Sequence, residues 1–375
     1  MTRRSPTDRL LLLVAAALLA GAVAMGCGRN QPLTTSPETD TQTSGAVLKR
    51  GLPEVEAAVR VQERHTPELM AMAGVVGTAV GRGPDGQPAV LVLTETALPK
   101  GRLPEFLDGM RVVQEVTGRI VAFKGGGGGV SHTAKQTPPI QLGTSGGPAL
   151  DLANGYCCGG TLGSLVQIGG TQYILSNSHV FAGDVVSGGN GRVSTIGDDI
   201  TQPGLIDVGC NAANAQVVAD LSSLSTLYPP ASTPNIDAAI AQVRSGMVRT
   251  DGAILEIGTL SASTVAAAVG QAVKKSGRTT GLTRSSVSGL NATVNVNYST
   301  ECAGTSFTKT FTGQILVSNR RSGFLNSGDS GSLMVEDVTT NPRAIGLLFA
   351  GSSTIAVANP INAVLSHFGA SMVGN

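Results

Sequence analysis

The sequence predicts a mainly β protein: two small barrels over residues 146–375, preceded by a small α/β domain over residues 49–124. Three observations predict it. Glycine supplies 50 of the 375 residues, a composition suited to many tight turns. Aromatic residues make up 3 % and tryptophan is absent, while apolar residues reach 41 %, so cores must be built from aliphatic strands. Short β-branched runs bounded by Gly, Asn, Ser and Asp recur from residue 160 to the end of the chain, the pattern of a sandwich or a barrel pair. The same numbers exclude some functions. Charged residues are 14 % and the net charge is +1, so no basic field recruits nucleic acid. The scarcity of aromatic rings argues against platforms that stack bases or sugars.

Taken in order, the chain opens on MTRRSPTDR and an apolar run from Leu10 to Ala24. A basic start and an apolar run too short for a membrane span read as a signal peptide, residues 1–26. Gly26 before Cys27 makes Cys27 a candidate lipidation site, with plain cleavage and secretion as the alternative. The expected location is therefore outside the cytoplasm, in the cell envelope or beyond it. Residues 27–48 are polar, rich in Ser and Thr and without periodicity, which is the composition of a disordered tether. From Pro53 to Met72 the pattern turns helical. Thr66-Pro67-Glu68 is a second start signal, so two short helices are expected. GVVGTAVG and QPAVLVLT flank RGPDGQ as a hairpin, and residues 109–123 supply another strand or two. His65 shows no partner and reads as a surface residue of the helix. Residues 125–145 begin with five glycines, Gly125 to Gly129, and read as a flexible linker. No GK[ST] follows, so this is not a phosphate loop. Beyond it the strands begin, and INAVLSHFGA reads as a short closing helix.

Export changes what the cysteines can do. Setting Cys27 aside leaves Cys157, Cys158, Cys210 and Cys302, which admit three pairings. The neighbours Cys157 and Cys158 are disfavoured as a pair because a vicinal bridge is strained. The plain expectation is one bridge and two buried thiols. No CxxC pair or histidine cluster suggests zinc, and neither a metal nor a cofactor is expected.

Two strings could hold a nucleophilic serine: GTSGGP around Ser145 and SGDSGSL around Ser330. A serine hydroxyl needs an imidazole to take its proton and a carboxylate to orient that imidazole. Of the four histidines (His65, His132, His179 and His367), only His179 follows a convincing apolar strand, YILSNSHVF. Asp237 starts the apolar run DAAIAQV, where a buried carboxylate requires a hydrogen-bonding partner. Asp207 and Asp220 are rivals in looser surroundings. Gly328 and Ser330 could offer backbone N–H groups to a developing oxyanion. Ser145 precedes His179, lacks an aspartate before it and reads as a turn ahead of the first barrel.

SNSHVFAG, NIDAAIA and SGDSGSL, in that order, resemble the chymotrypsin-like (trypsin-like) serine proteases. KKSGRTTGLTRSSV resembles the second-barrel strand of the α-lytic and streptogrisin-type bacterial proteases. The wider set of motifs resembles a bacterial trypsin-like family distantly related to the plant narrow-leaf serine protease. The resemblance covers nearly all of the chain beyond the tether. It implies two six-stranded barrels with the site between them: Ser330 as nucleophile, His179 as base and then acid, and Asp237 orienting His179. It also implies an oxyanion hole from the N–H groups of Gly328 and Ser330. The family's Ala-Ala-His is Asn177-Ser178-His179 here, and Ser332 stands where its motif has a second glycine.

In many relatives the carboxylate at Asp329 meets a new amino terminus after activation, a route closed here by the long segment ahead of it. A buried charge still needs a partner. In the bacterial relatives an arginine two residues before the glycine of GRTTG serves, so the resemblance implies Lys275 as that partner, with Arg278 as the alternative. The resemblance places a substrate pocket near Phe324, Phe349 and Gly351. Without an aspartate there, an apolar or small side chain is the expected preference. The partner is then a protein or peptide substrate, and a homo-oligomer is admissible. The competing reading is a catalytically silent or self-processing peptide-binding or assembly module on the same fold.

Overall fold

A computed structural model describes residues 47–122, 130–150, 152–153, 156–182, 193–298, 306–320 and 323–375. The expected signal peptide, Cys27, most of the tether, the five glycines and Cys302 lie outside the described residues. Among the described residues, no helix is long and apolar enough to cross a membrane.

Helix α1 (Pro53–Met70) buries Val55, Ala58, Val59, Gln62 and Leu69, at i, i+3, i+4, i+7 and i+14 along one face. The sequence predicts a break at Thr66-Pro67, yet the helix runs through it. Pro67 lies in the last turn, where its missing N–H removes a single intrahelical bond. Thr66 Oγ1 donates to the Gln62 carbonyl at 2.7 Å, and Gln62 Nε2 donates to Thr78 Oγ1 at 2.8 Å, tying that turn to the sheet. Strands β1 (Val75–Arg82) and β2 (Pro88–Thr94) form the hairpin, with Arg82 opposite Pro88. Strand β3 (Met110–Val116) lies parallel to β2, and the two-residue strand β4 (Val121–Ala122) follows.

After the short helix α2 (Val130–Thr133) the first barrel begins. Its strands are β5 (Thr144–Pro148), β6 (Gly160–Leu162), β7 (Ser164–Ile168) and β8 (Thr171–Ser176), then β9 (Asp199–Gln202), β10 (Gln216–Leu224) and β11 (Ala239–Val243). They pair in the order β6-β5-β9-β10-β11-β8-β7. Strands β6 and β7 are one run of chain interrupted at Gly163, so the two ends of the sheet meet and it closes as a six-stranded barrel. A Cβ at Gly163 would lie 2.0 Å from the Gly331 carbonyl oxygen of the second barrel. Only glycine lets the two backbones come that close. Leu162, Leu165, Leu175, Phe181, Ile200 and Ile240 fill the interior.

The sequence predicts a turn at Ser145, yet Ser145 lies within strand β5. Gly146 marks a close approach of backbone to side chain, since a Cβ there would sit 2.2 Å from Leu162 Cδ2.

The second barrel comprises β12 (Ala272–Gly277), β13 (Gly281–Tyr298), β14 (Phe307–Ser318), β15 (Leu333–Glu336), β16 (Ala344–Gly351) and β17 (Ile355–Pro360). The order is β12-β15-β16-β17-β14-β13, and β13 pairs back onto β12, closing the ring. The expected closing helix is α4 (Ile361–Phe368). After it, β18 (Ser371–Met372) returns to pair with β7 of the first barrel. The fold is thus mainly β, two closed six-stranded barrels with an α/β unit ahead of them.

That α/β unit does not own a separate sheet. Strand β13 is 18 residues long. Its first part pairs with β12; further along, Leu290 lies opposite Val80 and Val294 opposite Gly77 of β1. Strands β1, β2 and β3 therefore extend the sheet of the second barrel, and Gly45 to Asn375 form one unit.

Cys157 and Cys210 are bridged. Cys158 is disulfide-bonded as well, so the expectation of one bridge and two buried thiols is corrected.

Candidate functional site

His179 lies on the short helix α3 (Ser178–Phe181), which follows β8 at the rim of the first barrel. Asp237 lies just ahead of β11, the neighbour of β8. Strand pairing thus delivers both to one end of the barrel. His179 Nδ1 and Asp237 Oδ2 are 2.5 Å apart, and the His179 backbone N–H donates to Oδ1 of the same carboxylate at 3.2 Å. Asp237 is fully buried and His179 is 1 % exposed, so each supplies the partner that burial demands of the other.

The surrounding polar side chains fix this geometry. Asn177 Nδ2 and Asn359 Nδ2 donate to the Asp237 carbonyl at 2.7 and 3.0 Å. Asn359 Oδ1 accepts the Asp237 N–H at 3.2 Å. Ser178 Oγ donates to the Ala238 carbonyl at 2.7 Å, and Ser176 Oγ to that of Thr161 at 2.8 Å. The polar residues ahead of His179 are therefore braces.

Sequence reasoning missed Tyr298. Its hydroxyl donates to Asp237 Oδ2 at 2.9 Å, and its ring meets His179 edge-on at 5.9 Å and stacks on Phe307 at 4.8 Å. Burial, then the nearby Asp237 charge, push the Tyr298 hydroxyl well above its ordinary value of 10.0. It therefore remains a donor across the working pH range.

The other histidines meet exposed carboxylates or none. His65, expected to be without a partner, lies 3.0 Å from Asp108. His132 lies 2.6 Å from Glu256, whose side chain is 45 % exposed, and His367 stacks edge-on against Phe368. The rival aspartates are engaged elsewhere. Asp220 binds Arg244. Asp207 accepts two bonds from Arg278, at 2.7 and 2.5 Å, and one from Ser145 Oγ at 2.5 Å. Ser145 is thus a fully buried link to that pair.

Ser330 sits in the turn before β15 and is fully buried. Its carbonyl accepts the Thr161 N–H at 2.9 Å, and Thr161 is the residue braced by Ser176. The turn is thereby seated against the strand ends that carry His179. Ser330 Oγ donates to the Phe349 carbonyl at 3.2 Å, and His179 Nε2 makes no hydrogen bond among the described residues. Gly328 has φ +92°, a left-handed conformation that favours glycine, and its carbonyl accepts from Thr161 Oγ1 at 2.9 Å.

Asp329 is held by five donors. The N–H groups of Thr279, Thr280 and Asn326 lie at 2.9, 3.1 and 2.9 Å, Thr280 Oγ1 at 2.7 Å and Lys275 Nζ at 3.3 Å. Lys275 and Asp329 are both fully buried. Burial pulls the Lys275 ammonium below its ordinary 10.5, and the Asp329 charge opposes that shift. Arg278, the alternative partner, is bound to Asp207 instead.

The three residues expected near a substrate pocket are not brought together as a wall. Phe324 is fully buried among Val273, Val287 and Met334. Phe349 belongs to a different core with Tyr298 and Phe311, and Gly351 pairs with Ala356 at the end of β16.

Three comparisons place these observations beside known proteins. A family model described as the Nal1 C-terminal domain matches residues 234–359. No curated protein matches the chain. Among solved structures, a serine protease specific for glutamic acid is 20 % identical, with 62 % of this chain and 100 % of that one covered at a TM-score of 0.39. Protease A of Thermobifida fusca is also 20 % identical, covering 63 % and 99 % at a TM-score of 0.39. A Nocardiopsis protease is 15 % identical, covering 59 % and 96 % at a TM-score of 0.36.

Proposed function

We propose that the protein is an exported serine endopeptidase that hydrolyses peptide bonds through Ser330, His179 and Asp237. One observation carries the reading. A buried imidazole is held by a buried carboxylate at both its Nδ1 and its backbone N–H, and the Gly-flanked Ser330 turn is seated on the same strand ends. That arrangement fixes the imidazole with Nδ1–H toward Asp237, leaving Nε2 as the base. Ser330 Oγ attacks the carbonyl carbon as Nε2 takes its proton, and the N–H groups of Gly328 and Ser330 stabilise the oxyanion. The proton then passes to the leaving amine as the C–N bond breaks, giving an acyl-serine. Water, deprotonated by Nε2, releases the acid. Lys275 supports this by holding Asp329, and so the turn between Gly328 and Ser330, without any new amino terminus. The absence of an aspartate at position 324 supports an apolar or small side chain before the cleaved bond. Cys27 is the residue proposed to carry a lipid anchor.

A fluorophosphonate probe tests the reading on the full chain. Labelling at Ser330 that is lost in Ser330→Ala and in His179→Ala is expected. A folded protein that takes no label overturns it. The second reading, a silent peptide-binding module, is favoured by the complete burial of Ser330 and by its bond to Phe349; a folded, unlabelled chain that binds peptide is its signature.

A further inference from the structure

Two backbone carbonyls of the turn ahead of Ser330 are held through a single residue. Arg278 follows β12 and is 1 % exposed. Its backbone N–H donates to Thr161 Oγ1 at 3.0 Å, and that hydroxyl donates to the Gly328 carbonyl at 2.9 Å. Its Nη1 donates to Thr279 Oγ1 at 3.2 Å, and this second hydroxyl donates to the Ser327 carbonyl at 2.5 Å. A hydroxyl has one proton to give, so accepting from Arg278 leaves each of them aimed at a carbonyl. The guanidinium also lies directly beneath the turn: a Cβ at Gly328 would sit 2.7 Å from Nη1. A buried guanidinium needs a partner, and the first barrel supplies it. Asp207 takes Nε and Nη2 in a two-bond fork at 2.7 and 2.5 Å, the geometry that suits an arginine and a carboxylate. Asp207 also accepts from Ser145 Oγ, which in turn accepts the Gly204 N–H at 2.9 Å. Asp207 ends a single 3₁₀ turn, and the Leu205 carbonyl at the start of that turn accepts the N–H of the bridged Cys210 at 3.0 Å.

We propose that Arg278, gripped by Asp207, is a positioning residue for the oxyanion: it fixes the Ser327–Gly328 peptide with the Gly328 N–H turned to the carbonyl that Ser330 attacks. This rests on the protease reading of Ser330. In a trans peptide the C=O and the N–H point in opposite directions. With the Ser327 carbonyl drawn to Thr279, the Gly328 N–H must leave on the other side. Gly328 has no Cβ and sits at φ +92°, so the turn has little stiffness of its own and its orientation is imposed from outside. As Ser330 Oγ adds to the carbonyl carbon, the C=O electron pair moves onto oxygen. An N–H already aimed at that oxygen stabilises it with no reorganisation. Ser145, which is not the nucleophile, completes the grip by donating to Asp207. The turn belongs to the second barrel and the grip to the first, so the oxyanion donor is in place only when the barrels are docked.

The test uses the full chain and two variants. Thr279→Val removes the hydroxyl that joins Arg278 to the Ser327 carbonyl and keeps the branched shape. Fluorophosphonate labelling of Ser330 should slow roughly tenfold, the weight of one hydrogen bond. The phosphorus NMR resonance of the phosphonyl-Ser330 adduct should also move, because the phosphonyl oxygen occupies the place of the oxyanion. Asp207→Asn takes the charge partner from Arg278 and alters no group that touches Ser330. It should slow labelling at least as much and move the resonance in the same direction. An unchanged rate in either folded variant, with labelling still lost in Ser330→Ala, overturns the positioning role and leaves the protease intact. Slower labelling with an unmoved resonance overturns it too, since a merely loosened fold would give that. No label in any folded protein, the unaltered chain included, removes the protease reading and the inference with it. If Asp207→Asn does not fold, Thr279→Val decides alone.

Discussion

At the scale of single residues, the carboxylate of Asp237 meets His179 twice and accepts once from Tyr298, and Tyr298 is the donor that the sequence hid. A hydrogen bond to a charged acceptor contributes about 1.5–3 kcal/mol. Tyr298→Phe should therefore slow Ser330 labelling roughly tenfold or more while leaving far-UV circular dichroism unchanged; an unaltered rate would show that His179 alone orients the carboxylate. Lys275→Met addresses the other buried charge. Asp329 then keeps four donors but loses its cation, and breaking one side of a buried pair costs about 3–5 kcal/mol. Urea unfolding should show that loss near its lower end. The order His179, Asp237, Ser330 is readable in the sequence because each stands beside a strand whose apolar run is plain. Lys275 is readable because the resemblance puts a cation at that position and the buried Asp329 beside Ser330 must be matched. Tyr298 is not, since it lies 61 positions from Asp237 and only the path of β13 joins them. The engagement of Arg278 by Asp207 joins a single 3₁₀ turn, Leu205–Asp207, to the residue after β12, a meeting that no local pattern announces.

At the scale of elements, the turn joining β15 to β16 is clamped by one ion pair. Glu336 accepts the Arg343 N–H at 3.1 Å and two guanidinium bonds at 2.8 and 2.6 Å. Those guanidinium bonds hold the Glu336 carboxyl below its ordinary 4.5. A carboxyl lowered in the folded state binds fewer protons there than in the unfolded chain. Its contribution is thus complete above pH 4.5 and is lost as the pH falls through the folded value. Melting temperatures of wild type and Glu336→Gln should differ at pH 7 and converge in acid; a constant difference would contradict this. Elements were legible where periodicity was strong, as in the hairpin of β1 and β2 and in α4. They were not legible where tertiary contact decides. Helix α1 runs past Pro67 because Gln62 and Leu69 anchor its last turn, and Ser145 lies on a strand because its glycine neighbours admit Leu162.

At the scale of the whole molecule, two features bind distant parts of the chain. The Cys157–Cys210 bridge closes a loop with a sequence separation of 53. Loop-closure entropy puts its contribution at about 4 kcal/mol, so replacing both cysteines by serine should lower the unfolding free energy by up to that amount in urea titrations. Strand β1 lies on β13, so residues 130–375 expressed alone should keep β14 beside Leu290 to Val294 but leave their β1 edge open. That fragment should associate or melt earlier than the full chain, as size-exclusion chromatography and calorimetry would show; a monomer of equal stability would mean that β1 is dispensable. The pairing of residues 77–81 with 289–294 also sets an order of events in time. The N-terminal strands are made first but cannot complete their sheet until the middle of β13 has been synthesised. Contacts so far apart in sequence slow folding, and an edge left open in the interval invites pairing with the wrong chain. The same ladder that unites the finished protein thus makes its assembly late, concentration-sensitive and a natural client for a chaperone.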